Sequence, residues 1–281
     1  MYAKRVEQTA LNCHQRMFKF HAVRKTVQNL KVIENRQLND DHHLLQLEVP
    51  DLLETINPGQ FANLLVDHSP GVFLRRPFSI YSVDYSKNTI SVFIKEIGEG
   101  TRALAQSRVN SYINGMFPLG NGFTIPSVPE KILLIGGGSG VASLMNLAQE
   151  LSKNLNDVSI LIGARSSADL VELEHFSLYG TVYTTTEDGT QGEKGYVTGH
   201  PILRDQLSQF KRIYSCGPEP MMRAVAAKAK SQSIFCEVSL ENTMACGFGV
   251  CLCCVTETIE GHKCVCTDGP VFNINQLKWQ I

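Results

Sequence analysis

Six of the nine cysteines in this chain lie between residues 246 and 266, in the segment CGFGVCLCCVTETIEGHKCVC. Cys246, Cys251 and Cys254 have the spacing C-x4-C-x2-C, by which plant-type ferredoxins bind a [2Fe–2S] cluster. A loop that directs amide N–H groups at sulfur needs close backbone approach and positive φ, which Gly247 and Gly249 allow. The spacing therefore predicts a loop wrapped around a metal centre, with a fourth thiolate further along.

Two other interpretations of these thiols remain open. Four thiolates also satisfy a tetrahedral structural zinc site, although zinc sites usually present two short C-x2–4-C knuckles, and the first gap here is longer and glycine-rich. Free buried thiols are the third interpretation, since a cysteine outside a motif is usually a small buried hydrophobic residue. That description also fits the surplus residues Cys253 and Cys264. The spacing favours iron–sulfur over both.

Composition and charge narrow the class of protein. The chain has 281 residues, 43% of them hydrophobic and 19% charged, which is ordinary for a globular protein of two or three domains. A formal net charge of −1 without long runs of one sign predicts no nucleic-acid interface and no membrane-binding patch. No apolar run approaches the ~18 residues that span a membrane, and the polar N-terminus is unlike a secretory signal. We therefore expect a cytoplasmic protein whose cysteines serve metal or redox chemistry.

The pattern of apolar residues changes near residue 125. Before it, the segments HHLLQLEVP, GQFANLLVD, FSIYSVD and TISVFIKEI predict short strands of an antiparallel barrel. After it, KILLIGGGSGVASLMNLAQELSK predicts a strand, a glycine turn and a helix, and VSILIGAR, GTVYTTTED, FKRIYSCG and PEPMMRAVAAKAKSQ continue the alternation of a parallel sheet. We predict an N-terminal extension (1–26), a β-barrel domain (27–126), a Rossmann-like α/β domain (127–233) and a small cysteine-rich domain (234–281).

The glycine turn that follows the first α/β strand is a candidate phosphate site. Its backbone amides could approach a pyrophosphate at a helix N-terminus, where the helix dipole favours anions. It departs from strict G-x-G-x-x-G, because Ala142 and Ser143 follow Gly140. A tight strand-to-helix turn without a ligand is therefore the alternative.

Barrel, nucleotide-binding fold and thiol cluster, in this order, resemble the ferredoxin–NADP reductase superfamily from about residue 27 to the end. More closely, the chain resembles the electron-transfer subunits of class 1B dihydroorotate dehydrogenases. It implies an antiparallel β-barrel FAD domain, an α/β NAD domain and a C-terminal [2Fe–2S] domain. LRRPFSI (74–80) matches the R-P-x-S flavin signature, in which Arg76 would neutralise the FAD pyrophosphate and Ser79 would bond near the flavin ring.

Further segments imply the remaining cofactor-binding residues. FIKEIGEGTRAL (93–104) resembles the second flavin segment, with a helix-capping turn as the alternative. The implied FAD-binding residues are Arg76, Pro77, Phe78, Ser79, Phe93, Ile94, Lys95, Gly98, Gly100 and Thr101. LIGGGSGVASL (134–144), TEDGTQGEKGYVT (186–198) and YSCGPEPMM (214–222) resemble the nucleotide loop and the nicotinamide pocket. The implied NAD-binding residues are Gly136, Gly137, Gly138, Gly140, Asp188, Gly189, Cys216, Gly217 and Pro218.

Two of these assignments carry an alternative. Cys216 is equally well interpreted as a core thiol at a strand end. The family usually has Ala-Pro where this chain has Ala142-Ser143.

In the cysteine-rich segment the family's fourth ligand lies in V-C-x-D-G-P-V-F, which selects Cys266 over Cys264. The resemblance therefore implies the ligands Cys246, Cys251, Cys254 and Cys266.

The resemblance also implies the activity. Electrons would pass from dihydroorotate, through the FMN of a separate catalytic subunit, to the cluster, FAD and NAD⁺, in pyrimidine biosynthesis. The assembly would be a heterotetramer of two plus two subunits, and no acid–base catalytic residue is needed in this chain. The alternatives are a subunit of a bifurcating transhydrogenase or sulfhydrogenase in the same superfamily, and a zinc-stabilised interaction module without enzymatic activity.

The choice between NAD and NADP depends on the end of the strand VSILIGAR. Arg165, followed by Ser166 and Ser167, lies where such folds read the adenosine ribose and could accommodate a 2′-phosphate. Asp169 lies just beyond, and the family uses NAD. One arginine without a second basic neighbour supplies only part of the ~1.4 kcal/mol needed for each tenfold preference. We therefore predict NAD.

Overall fold

The computed structural model describes residues 25–67, 69 and 71–281. The predicted extension 1–26 lies outside the described residues except for its last two positions. In the described part, six antiparallel strands form a closed barrel in the order β1-β2-β5-β4-β3-β6. They are β1 (Thr26–Gln37), β2 (His42–Glu48), β3 (Phe61–Leu64), β4 (Arg76–Asp84), β5 (Thr89–Lys95) and β6 (Tyr112–Leu119). Helix α1 (Glu99–Ala105) connects β5 to β6.

The barrel confirms the predicted fold class, and its interior is filled by residues that alternate along the strands. Leu30 and Val32 of β1, and Leu45 and Leu47 of β2, are fully buried, as the period of two in a half-buried strand requires. The apolar pattern did not single out β1 or β6. β1 is largely polar, and β6 contains Asn114, Gly115 and Pro118, which are common turn residues.

A seven-stranded sheet forms the α/β domain, in the order β10-β9-β8-β7-β11-β12-β15. The strands are β7 (Lys131–Gly137), β8 (Asp157–Ala164), β9 (Thr181–Thr186), β10 (Glu193–Lys194), β11 (Arg212–Cys216), β12 (Phe235–Ser239) and β15 (Val271–Asn273). The helices are α2 (Ala142–Lys153), α3 (Leu173–Ser177), α4 (Pro201–Arg204) and α5 (Glu219–Ser231). All neighbouring strands are parallel except the pair β12–β15.

The cysteine-rich segment is joined to the α/β domain by sheet and core. Its hairpin consists of β13 (Val255–Thr258) and β14 (Gly261–Cys264), and the chain then returns as β15 to pair with β12. Cys254 and Cys266 lie in the same hydrophobic cluster as Leu133 and Phe272. The thiol loop is therefore fixed against the same core that supports the parallel sheet. In the residues described, no helix is long and apolar enough to cross a membrane.

A buried carboxylate connects the barrel to the α/β domain. Glu172 precedes α3 with a left-handed φ of 62°, and its side chain is 9% exposed. It accepts hydrogen bonds from Arg36 of β1 at 2.9 and 3.2 Å and from the Tyr81 hydroxyl of β4 at 3.1 Å. Burial acts to raise the pKa of Glu172, but hydrogen bonds from His175, Arg36 and Tyr81 outweigh it and lower this pKa to about 2.

The lowered pKa of Glu172 should make the free energy of unfolding depend on pH. A carboxyl with a pKa of about 2 in the folded protein and about 4.3 in the unfolded chain contributes about 3 kcal/mol above pH 5, which is lost as the pH falls towards 2. We expect Glu172→Gln to lower the free energy of unfolding at pH 7 and to converge on the wild type in acid. Urea unfolding at several pH values measures this, with the exposed Glu174→Gln as the control. A constant difference at all pH values would contradict the assignment.

Candidate functional site

Two cavities meet between the barrel and the α/β domain. The larger, about 680 Å³, lies over the carboxyl ends of the parallel strands, and the smaller, about 340 Å³, lies between barrel strands and the segment after β12. Lys95, Ser139 and Glu241 line both. The two cavities therefore share part of their walls. Carboxyl ends of parallel strands are the usual binding edge of such sheets.

In the glycine turn at the larger cavity, two positions leave no room for a side chain. A Cβ on Gly140 would lie 2.6 Å from the Cys216 carbonyl and from Gly217 Cα, and one on Gly137 would lie 2.6 Å from Met221 Sδ. Gly138 has φ +53° and open space beside it, and it lines the cavity. The turn leaves exposed amides beside a helix start, which is the chemistry that a dinucleotide pyrophosphate needs.

The predicted NAD residues fall into three groups. Gly137, Gly138 and Pro218 line the larger cavity. The second group, Gly136, Gly140, Cys216 and Gly217, packs the strand ends behind it. Asp188 and Gly189 belong to an exposed turn in which Asp188 accepts hydrogen bonds from Thr190. Their neighbours Glu187, Tyr196 and Thr198 line the cavity instead.

Cys216 and Glu241 form a pair where the cavities meet. The Cys216 thiol is 1% exposed, and its Sγ donates to Glu241 Oε1 at 3.8 Å. Burial, with a smaller contribution from the Glu241 charge, raises the pKa of Cys216, so this thiol stays protonated. Glu241 is open to solvent in the cleft, but the surrounding protein raises the pKa of its carboxyl. This burial supports the interpretation of Cys216 as a core thiol at the strand end, and its role beside the nicotinamide stays a prediction.

At the ribose-reading end of β8, Arg165 is paired with an acid. Its Nη2 lies 3.3 Å from Asp169 Oδ1, and the Ser166 hydroxyl lies 3.4 Å from Asp169 Oδ2. Arg165 is exposed and Asp169 is largely enclosed, and both line the larger cavity. Asp169 therefore offsets the charge of Arg165 and occupies the Ser166 hydroxyl, the two groups that would attract a 2′-phosphate.

The smaller cavity contains most of the predicted flavin-binding residues. Its walls include Arg76, Pro77, Phe78, Ser79, Phe93, Lys95 and Thr101. A Cβ on Gly100 would lie 3.0 Å from Arg76 Nε, so the glycine lets the guanidinium reach the start of α1. Ile94 is buried inside the barrel. A cation beside a helix start, with aromatic walls, fits a flavin with its diphosphate.

The alternative role of Thr101 as a helix cap also has support. Its hydroxyl accepts the N–H groups of Ile97 and Gly98 at 2.9 and 3.0 Å and donates to the Gly98 carbonyl. This is the hydrogen bonding of a cap, which fixes the turn at Gly98 and Gly100. Thr101 thus orders the turn that faces the flavin cavity.

The four predicted cluster ligands lie in two thiol pairs. The Cys246 Sγ accepts N–H groups from Phe248 and Cys251, both at 3.5 Å, and the Cys254 Sγ accepts the Cys266 N–H at 3.4 Å. Gly247 and Gly249 have φ of +80° and +92°, as a loop directed at sulfur requires. Among residues 25–67, 69 and 71–281, no three His, Cys, Asp or Glu side chains already form a metal-binding group.

The surroundings of Cys246 favour a thiolate, and those of Cys266 do not in the absence of a metal. Burial acts to raise the pKa of Cys246, but the backbone N–H groups of Phe248 and Cys251 lower it to about 6. Burial and the neighbouring Cys254 thiol raise the pKa of Cys266 to about 12, a preference that metal coordination reverses. N–H donors aimed at thiolate sulfur are the surroundings that iron–sulfur ligands need.

The two surplus cysteines differ in burial from Cys254 and Cys266. Cys253 is exposed, so the expectation that it is a small buried residue is wrong. Cys264 is half-buried, and its backbone N–H donates to Asp268 at 2.9 Å. Cys254 and Cys266 are buried against each other. Cys266 as the fourth ligand remains a prediction that this packing supports.

Sequence analysis missed several residues of the site, among them Ser139, His42, Glu241 and Met244. Glu241 had a usable signal, because an acidic residue just after a parallel strand lies at the binding edge of the sheet. His42 had none. It starts a barrel strand, and only the folded chain brings it to the nucleotide cavity.

Two family profiles match the regions just described. Residues 134–227 match the oxidoreductase NAD-binding domain. Residues 241–278 match the iron-sulfur cluster binding domain of dihydroorotate dehydrogenase B. Among solved structures, one reported for an NADH-dependent reduced ferredoxin-NADP oxidoreductase is similar, with a TM-score of 0.80, 25% identity and coverage of 89% of this chain and 90% of the other. A ferredoxin reductase of carbazole 1,9a-dioxygenase shares the fold, with a TM-score of 0.66, 22% identity and coverage of 76% and 68%.

Curated relatives extend the similarity over nearly the whole chain. The electron transfer subunit of dihydroorotate dehydrogenase B (NAD(+)) from Shouchella clausii is 35% identical over 261 residues, covering 91% of this chain and 99% of the relative. The subunit of the same name from Fusobacterium nucleatum is 33% identical over 252 residues, covering 88% and 96%. The chain therefore belongs to the family of electron transfer subunits of dihydroorotate dehydrogenase B (NAD(+)).

Proposed function

We propose that this chain carries electrons between a partner's flavin and NAD⁺, through a [2Fe–2S] cluster at Cys246, Cys251, Cys254 and Cys266 and FAD in the smaller cavity. One observation carries the proposal. Residues 239–244 line the flavin cavity, and the chain reaches Cys246 two residues later. These cavity-lining residues, called the flavin wall below, and the first thiolate therefore belong to one short segment. Flavin, when bound, exchanges electron pairs with nicotinamide and single electrons with an iron–sulfur cluster.

In this proposal the chain's own residues bind the two cofactors and neutralise their phosphates. Arg76 and the turn at Gly100 would hold the FAD diphosphate, and the amides of Gly137 and Gly138 would hold the dinucleotide pyrophosphate. Glu241 lines both cavities, and the surrounding protein raises the pKa of its carboxyl. The carboxyl is therefore placed to form a hydrogen bond with a ligand in either cavity.

The partner in this proposal is an FMN-containing dihydroorotate dehydrogenase catalytic subunit, in a cytoplasmic two-plus-two assembly. Phe248, Val250 and Leu252 on the thiol loop are exposed, with Val250 at 73%, and exposed apolar side chains of this kind suit a protein interface. Electrons would flow from dihydroorotate towards NAD⁺. Co-purification of the two subunits, followed by dihydroorotate-dependent NADH formation, tests this. NADH formation by the isolated chain would exclude it.

Cluster ligands can be identified by single substitutions. We expect serine at Cys246, Cys251, Cys254 or Cys266 to deplete iron and bleach the visible absorption, because each removes one thiolate. Serine at Cys253 or Cys264 should leave iron content unchanged and serves as the control. Iron analysis of the purified variants measures this. Iron loss in Cys264→Ser with Cys266→Ser intact would reassign the fourth ligand.

Flavin affinity should depend on Arg76. Charge-assisted hydrogen bonds to phosphate contribute about 1.5–3 kcal/mol each, so Arg76→Ala should weaken FAD binding by about tenfold or more. Titration of the apoprotein with FAD measures the dissociation constant. The matched control is Arg102→Ala, which removes an exposed arginine from α1. Equal affinities in Arg76→Ala and the wild type would reject the assignment.

Cofactor choice should depend on Asp169. Asp169→Asn removes the charge that offsets Arg165, so we expect the ratio of kcat/KM for NADPH to that for NADH to rise by about tenfold, or ~1.4 kcal/mol. Dye reduction by the purified chain measures both values. Adding Arg165→Ala to Asp169→Asn should abolish the gain, since the freed arginine is its source. An unchanged ratio in Asp169→Asn would show that the nucleotide is selected elsewhere.

A further inference from the structure

One buried asparagine of the barrel holds the thiol loop. Asn63 of β3 is fully buried, and its Nδ2 donates to the Cys246 carbonyl at 3.1 Å. The contact joins residues 183 positions apart in the chain. It brings a side chain of the flavin-binding barrel to the peptide of the first predicted cluster ligand.

Local backbone geometry directs Asn63 to this point. The pairing of β3 with β6 shifts register between Phe61 and Asn63, and such a bulge redirects the side chains beside it. On the loop side, a Cβ at Gly247 would lie 2.6 Å from Asn63 Nδ2. The glycine therefore serves two purposes, since it allows φ of +80° and lets the amide reach the Cys246 carbonyl.

The same asparagine is part of the flavin-binding strand pair. Asn63 is paired with Pro77 of the R-P-F-S segment, and Phe61 and Pro77 line the flavin cavity. A β-ladder and one side-chain hydrogen bond thus connect the flavin cavity to the Cys246 peptide. This is a short route between the regions proposed for FAD and the cluster.

Packing alone does not explain why an asparagine occupies position 63. Within the described part of the chain, Asn63 Oδ1 has no hydrogen-bond partner although it is buried. An apolar side chain of similar size would avoid that desolvation. The donated hydrogen bond also fixes the orientation of the amide, because the Cys246 carbonyl can accept from NH₂ only.

We propose that Asn63 is a positioning residue that fixes the Cys246 peptide, and thereby sets the reduction potential of the cluster and its electron exchange with flavin. With that peptide held, the N–H groups of Phe248 and Cys251 point at the Cys246 Sγ. Hydrogen bonds to cluster sulfur are known to tune such potentials. The inference rests on the proposed cofactors but concerns a residue that would touch neither of them.

The test compares Asn63→Leu and Asn63→Ala with the wild type, using the full chain with its cofactors. Both variants remove the donor, one at similar volume and the other without risk of overpacking. We expect altered g values of the reduced cluster and a tenfold change in the electron distribution between flavin and cluster, which is about 59 mV for one electron. Redox titration followed by electron paramagnetic resonance measures both. Flavin content and the rate of flavin reduction by NADH should stay at the wild-type values.

The matched control is Asn35→Ala. Asn35 of β1 donates to the Ala105 and Ser107 carbonyls at 2.7 and 2.9 Å, so its hydrogen bonds lie within the barrel and reach no cluster ligand. Loss of iron with flavin retained in an Asn63 variant also supports the inference. Wild-type g values and potential in both variants, equal shifts in Asn35→Ala, or loss of flavin from both variants would overturn it. Absence of iron and flavin from the wild type would instead refute the proposed function.

Discussion

The contact between the ends of β7 and β11 is the constraint on which the site depends. Gly140 and the Cys216-Gly217 peptide approach so closely that a single Cβ would collide with backbone, and backbone atoms have nowhere to move. This contact brings the start of α2 against the loop before α5. It fixes Gly138 at the edge of the larger cavity and Cys216 beneath Glu241. The family's usual Ala-Pro is absent, but packing at Gly140 and the Ser143 hydroxyl bond to its carbonyl at 3.1 Å hold the turn.

Adjacent strands of the sheet connect that contact to the thiol loop. β12 lies beside β11 and ends at Ser239, and the next residues form the flavin wall and then the loop at Cys246. β15 returns to pair with β12, so both ends of the cysteine-rich segment are attached to one strand. The geometry of electron transfer therefore depends on the parallel sheet. The hairpin of β13 and β14 lies outside this sheet.

Local patterns in the sequence predict the parts of this fold that local chemistry determines. Alternating apolar residues predict four barrel strands, and the C-x4-C-x2-C spacing predicts the thiol loop. β6 escapes because Asn114 and Gly115 resemble a turn, yet the barrel pairs them with β1 and β3. Asp188 and Glu187 show the same limit. They are neighbours of the same charge, and only the path of the loop decides that Glu187 faces the cavity. The hydrogen bond between Arg36 and Glu172 joins residues over 130 positions apart, so no local sequence pattern could predict it.

Most of the buried side-chain polar atoms that lack a hydrogen-bond partner lie close to the site. Among the described residues these atoms are Asn63 Oδ1, Asn146 Nδ2, Thr185 Oγ1 and Ser215 Oγ. Three of the four lie beside the site: Thr185 lines the larger cavity, Ser215 precedes Cys216, and Asn63 holds the Cys246 carbonyl. Each such atom costs about 1–3 kcal/mol, and departures of this kind in a well-packed chain concentrate at functional positions. Among the described residues, Asn146 Nδ2 is the one such side-chain atom away from the site, so this desolvation cost is concentrated beside the nucleotide cavity and the thiol loop.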